Sequence, residues 1–168
     1  MNLFIVDAET NGLYGDVLSI GAIVLDKELK ETISFYGEVK IVINQSYEPW
    51  VKENVLPHMR DPDPFENEIE LLNAFWKFWM ANRQDTYCLA DVAYPVEMGV
   101  FKKCVEINKT ERSFLGPFPF LDLSSFLMAK GYDPLVKRLS LVDSKAFNQH
   151  HALDDVRIAA EIWRKLNE

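Results

Sequence analysis

Cysteine is scarce in this chain. Its 168 residues include only Cys88 and Cys104, with no C-x-x-C pair. That argues against a disulfide-stapled scaffold and against a thiolate zinc site, and it suits a reducing compartment. Long apolar runs are missing too: no stretch approaches the ~20 residues that a membrane-spanning helix needs. The first apolar run opens at Leu3 and reads as a strand, so neither a cleaved leader nor a membrane anchor is expected, and the expected location is cytoplasmic. Positive charge is also in short supply, with 18 Lys and Arg against 26 Asp and Glu and a net charge of −8. Domains that grip nucleic acid through a broad basic surface are usually basic, so binding of that kind is disfavoured. A metal enzyme escapes the argument, because bound cations offset the charge of their acidic ligands. Internal repeats, low-complexity tracts and linkers are absent, and hydrophobic residues make up 48%. The expectation is one compact domain over residues 1–168.

What is present is concentrated at the two ends. Leu3-Phe4-Ile5-Val6 reads as a buried strand that stops at Asp7-Ala8-Glu9-Thr10-Asn11-Gly12. Side chains alternate along a strand, so Asp7 and Glu9 point the same way. Two acids held together repel each other unless a cation sits between them, which suggests a hard-metal site at a strand end. A bare D-x-E is more often a solvated strand terminus, so its context has to decide. Residues 17–26 form a second strand, and residues 32–43 a third with Gly37 as a candidate bulge, giving an antiparallel meander. Residues 44–64, carrying Pro49, Pro57, Pro62 and Pro64, read as loop.

A helix is expected from Pro64, with Asp63 as its N-cap and Glu66 completing a capping box. Its stripe of Ile69, Leu72, Trp76 and Trp79 reads as core packing rather than as a base-stacking platform. Residues 86–90 read as a fourth strand ending at Asp91, and Pro95 opens a helix to about residue 107. Lys102, Lys103, Lys109 and Arg112 form a modest basic cluster, best read as a solvated face. Residues 118–122 read as a short strand feeding a helix that Gly131 ends. A last helix covers residues 153–166, with Val156, Ala159, Trp163 and Leu166 as its buried stripe.

The order D-x-E-T-x-G followed by a strand bearing I-G-A-x-V-L resembles the opening of the DEDDh 3′–5′ exonucleases, a branch of the ribonuclease H-like fold. His150-His151-Ala152-Leu153-Asp154-Asp155 resembles the last motif of that family, in which a His stands five residues before an Asp. The resemblance implies an α/β fold with a mixed five-stranded sheet flanked by helices. It also implies a two-metal site using Mg²⁺ or Mn²⁺, with Asp7, Glu9 and Asp155 as ligands and His150 as general base. His151 then reads as a bystander, His58 as structural and Asp154 as solvent-facing. Thr10, Asn11, Gly12 and Leu13 correspond to the turn that holds the terminal nucleotide in relatives, Leu13 being its apolar wedge.

The middle motif departs from the family. Tyr94 falls on the family's aromatic, and Pro95 falls where relatives carry an Asp; proline cannot ligate a metal. Asp91 at the strand end and Glu97 in the first helical turn both remain candidates for the third acid, with Asp91 ahead. The implied activity is hydrolysis of single-stranded RNA or DNA 3′ ends to nucleoside 5′-monophosphates. Two rivals stand beside it: a degenerate nuclease fold that binds nucleic acid or protein without cleaving, and a metal phosphohydrolase acting on nucleotides or dinucleotides. Nothing in the sequence separates RNA from DNA, because that choice rests on contacts to the 2′-hydroxyl.

Overall fold

The computed structural model describes residues 1–42, 45–143 and 147–167. Strand β1 (Asn2–Thr10) pairs antiparallel with β2 (Val17–Leu25), which pairs antiparallel with β3 (Glu31–Glu38). The meander read from the sequence is therefore present. After a helical segment the chain returns on the other side of β1. There β4 (Thr86–Ala90) pairs parallel with β1, and β5 (Phe120–Asp122) pairs parallel with β4. The resulting mixed sheet has the order β3-β2-β1-β4-β5.

Both faces of the sheet are covered, which explains why β1 and β2 read as apolar runs rather than as alternating patterns. Phe4, Val6 and Val24 join Leu72, Phe75, Trp76 and Trp79 of α2 (Glu68–Asn82) and Val100 and Phe101 of α3 (Val96–Ile107) in one core. Leu3, Ile5, Ile23 and Leu25 face the other way. They pack with Leu123 and Leu127 of α5 (Leu123–Ala129) and Val156, Ala159 and Ile162 of α6 (Ala152–Leu166). β2 is buried along its whole length. The aromatic stripe of α2 is core, as expected, except that Ile69 is exposed and Leu71 and Phe75 take its place inside.

Several local expectations are corrected. α2 starts at Glu68 and not at Pro64. Its N-cap is Asn67, whose side chain accepts from the Glu70 N–H at 3.0 Å and donates to the Glu70 carboxylate. The competing Asp63 and Pro64 lie in a stretch that instead forms a bridge, in which Phe65 N donates to Glu38 O and Lys40 N to Phe65 O. β3 ends at Glu38; Val42 is exposed, and Ile43 lies outside the described residues. Gly37 pairs regularly with Ile20, and the register shift falls at Val24 and Leu25. Gly37 is required for another reason: a Cβ there would meet the Phe65 ring at 2.7 Å and a Leu71 methyl at 2.8 Å.

The supposed loop holds a helix, α1 (Pro49–Asn54), with proline in its first turn. A single 3₁₀ turn (Leu56–His58) follows it. Val51, Val55 and Tyr47 bury against Leu18 there. The remaining helix, α4 (Lys109–Arg112), is one turn long. Gly131 ends α5 as read, with φ of +85° and its N–H donating to Met128 O.

Candidate active site

The site grows from the place where β1 loses its neighbour. The β1–β4 ladder runs from Asn2↔Thr86 to Ile5↔Leu89 and stops, while β1 continues to Thr10. Asp7 and Glu9 extend the row of Leu3 and Ile5, so they emerge on the α6 face of the sheet beyond the core. α6 is brought down onto this spot by a glycine. Any Cβ on Gly21, which sits opposite Asp7 in β2, would lie 2.4 Å from the Ala152 carbonyl. Only a glycine permits that approach, and it fixes the first turn of α6 against the acids.

That turn delivers Asp155. Its Oδ2 accepts from the His150 backbone N–H at 2.8 Å, and this contact sets the bend that holds His150 at φ +66°. The ligand atoms of Glu9, His150 and Asp155 all lie within 4.8 Å of one another, and His150 Nδ1 stands 4.0 Å from Glu9 Oε1. Asp7, Glu9, His150 and Asp155 line a cleft of about 220 Å³ together with Asp91, Arg138 and Gln149.

The electrostatics are those of acids gathered without enough compensation. Burial, then the charges of Glu97, Asp155, Glu9 and Asp91, drives the Asp7 carboxyl well above its ordinary range. Burial and the neighbouring Asp155 push Glu9 up to about 8. Burial raises Asp155 to about 7 despite the His150 N–H that favours its ionised form. His150 moves the other way, lowered by burial and by the nearby His58. Such a set of hard carboxylate oxygens fits a divalent cation, whose charge would relieve the raised values of Asp7, Glu9 and Asp155 together.

Both oxygens of Asp91 accept from Arg138 Nε, at 2.7 and 2.9 Å. Arg138 also donates to Val136 O, Pro134 O and Ser124 Oγ, so it ties the end of β4 to the segment after α5. Glu97 lies in the first turn of α3 and is 6% exposed. The Ala8 N–H favours its ionised form, but burial dominates and pushes it up to about 8.

The turn after Glu9 is built from its own contacts. Thr10 Oγ1 donates to Gly12 O at 2.7 Å, and Gly12 adopts φ +78°. Asn11 reaches across to the segment before α1, its Nδ2 donating to Ser46 O and its Oδ1 accepting from Glu48 N. Leu13 is 63% exposed. Trp50 of α1 is half exposed, its ring edge-to-face with His150 at 5.0 Å. Thr10, Gly12, Leu13, Glu48 and Trp50 line a second, larger cleft of about 660 Å³, which joins the first at Ala8 and Glu9.

One residue near the site differs from its sequence reading. Asp154 is only partly solvated: its Oδ2 accepts from Asn148 N and Nδ2 and pins the loop that leads to His150. His151 stands apart, stacked on Tyr36 at 4.6 Å. Trp50 and Arg138 were not anticipated. The signal for Trp50 was Pro49, a helix opener as well as a breaker.

No family model matches the chain, and no curated protein matches it. Solved structures do. Exonuclease I from Methylocaldum szegediense superposes with a TM-score of 0.72 at 17% identity over 97% of this chain. The E. coli exonuclease I complex with single-stranded DNA, in a zinc-bound form, gives 0.73 at 16% over 97%. The nuclease domain of 3′hExo, a DEDDh family member bound to rAMP, gives 0.68 at 12% over 99%. The chain has the fold of these nucleases. It spans 39% of each exonuclease I chain and 91% of the 3′hExo domain.

Proposed function

We propose that this chain is a metal-dependent 3′–5′ exonuclease that removes nucleoside 5′-monophosphates from single-stranded RNA or DNA ends. The observation that carries the reading is the convergence of Glu9, His150 and Asp155 within 4.8 Å, beside Asp7 and on a nuclease fold. Two Mg²⁺ or Mn²⁺ ions held by Asp7, Glu9 and Asp155 would supply an acidified water and offset the charge of the scissile phosphate and leaving oxygen. His150 lines the same cleft, and its imidazole is the group we assign to take the proton of the attacking water.

The 660 Å³ cleft fits a terminal nucleoside. Leu13 and Trp50 both line it and offer apolar surface to a base, and Glu9 lines it as well. Incubating end-labelled single-stranded RNA and DNA with Mg²⁺ or Mn²⁺, with and without EDTA, tests the reading. A metal-dependent ladder shortening from the 3′ end is expected. Internal cuts, or cleavage that survives EDTA, would overturn it. Binding without shortening would instead favour a non-cleaving module, the rival that Pro95 at the ligand position supports. Cleavage confined to dinucleotides would point to a phosphohydrolase.

A further inference from the structure

We propose that Glu97, and not Asp91, supplies the third carboxylate of the metal site beside Asp7, while Asp91 is an internal counter-ion for Arg138. The assignment rests on the two-metal reading and specifies which side chains carry it. Glu97 sits in the first turn of α3, which packs against β1 where β4 has already left the ladder. Its Oε2 is fully buried and has no hydrogen-bond partner; among the described residues only one other side-chain atom, His151 Nδ1, shares that condition. A buried carboxylate oxygen without a donor is costly, and a cation bound between it and Asp7 would remove that cost. Its position relative to Asp7 agrees: Asp7 feels the charge of Glu97 more strongly than that of Asp155, Glu9 or Asp91.

Asp91 has the opposite character. Both of its oxygens already meet a guanidinium, and that guanidinium is held in place by two carbonyls and a hydroxyl. Burial still leaves Asp91 raised, but Arg138 opposes that shift, and drawing Asp91 onto a metal would strand Arg138 with a 14% exposed side chain. The sequence around Glu97 makes the substitution intelligible. Pro95 has no ligand atom, and Glu97, two residues on, has one more methylene than aspartate with which to reach back to β1.

Mn²⁺ titration followed by electron paramagnetic resonance, together with the Mg²⁺-induced rise in melting temperature, tests this in the full chain. The variants are Glu97→Gln and Asp91→Asn, with far-UV circular dichroism to check their folding. Glu97→Gln is expected to weaken Mn²⁺ binding by roughly an order of magnitude or more, at least the loss typical of disturbing a ligand's supporting contacts. It should also shrink the Mg²⁺-induced shift, while the metal-free melting temperature holds or rises because a buried charge is gone. Asp91→Asn is expected to lower the metal-free melting temperature and leave Mn²⁺ affinity near wild type. Glu97→Asp keeps the charge but shortens the reach, and should fall between wild type and Glu97→Gln.

An Asp91→Asn protein that loses as much Mn²⁺ affinity as Glu97→Gln, or wild-type affinity in Glu97→Gln, would overturn the assignment. So would a wild-type chain that binds no Mn²⁺. Glu97-dependent Mn²⁺ binding by a chain that cleaves nothing would uphold the ligand assignment and sink the exonuclease reading, so the two can fail separately.

Discussion

His150 and His151 are adjacent, and their surroundings assign them different work. His150 is held by Asp155 in a left-handed backbone conformation, with Trp50 across its ring and Glu9 4.0 Å from its Nδ1. His151 lies on Tyr36 and caps nothing with its side chain. His150→Ala is therefore expected to lower turnover by roughly two orders of magnitude, the loss typical of a missing general base. His151→Ala should act on stability, with turnover little changed. Steady-state rates on a single-stranded oligonucleotide decide it, and a larger loss of turnover at His151 would reverse the roles. Trp50 touches both the base cleft and His150, so Trp50→Ala should raise KM and lower kcat together. A change in KM alone would show that the ring binds substrate without orienting the imidazole.

At the scale of elements, glycines show how the site is assembled. β2 and the start of α6 approach so closely at Gly21 that a methyl group there would overlap the Ala152 carbonyl. Gly21→Ala is expected to destabilise the protein by about 1–3 kcal/mol, the usual cost of overpacking, and to reduce activity by displacing Asp155. Gly99 lies inside α3 with nothing within 4 Å of its would-be Cβ. Gly99→Ala should instead stabilise by about 0.4–1 kcal/mol, because the unfolded chain loses freedom that the helix does not use. Urea midpoints for the two variants should move in opposite directions. The same elements mark what was legible in the sequence. D-x-E along a strand puts both acids on one face by spacing alone, so that pairing was readable from the residues, whereas the pairing of His150 with Asp155 was readable only through the resemblance to the family's last motif. Which of Asp91 and Glu97 faces Asp7 depends on how α3 lies across β1 and on Arg138, 47 residues beyond Asp91, and no local spacing encodes either. The start of α2 was misplaced because two overlapping cap patterns compete. Asn67 prevails once the residues before it are drawn into pairing with Glu38 and Lys40.

Across the whole molecule, the gathered acids make stability a function of both pH and metal. In the folded chain Glu9 and Glu97 are pushed up to about 8 and Asp155 to about 7, and Asp7 is also raised, all chiefly by burial. Acids with raised values bind more protons folded than unfolded between their ordinary range near 4 and those higher values. The metal-free protein must therefore lose stability as pH rises through that window. His150, with a lowered value, contributes in the opposite sense, but Glu38 and Asp91 are raised too, so it is one group against six carboxyls. Melting temperature without metal is expected to be highest near the acidic end and to fall toward about pH 8, where the cluster ionises. Mg²⁺ should reverse the trend, because a cation that binds only the folded chain stabilises it by mass action and binds best when its ligands are charged. The Mg²⁺-induced rise in melting temperature should accordingly be larger at pH 8 than at pH 5. Asp7→Asn should flatten the metal-free curve and abolish most of the Mg²⁺ response while leaving the fold intact. A metal-free melting temperature that climbs from pH 5 to pH 8 would show that the acids are compensated from within the protein, and the case for a cation between them would then fail.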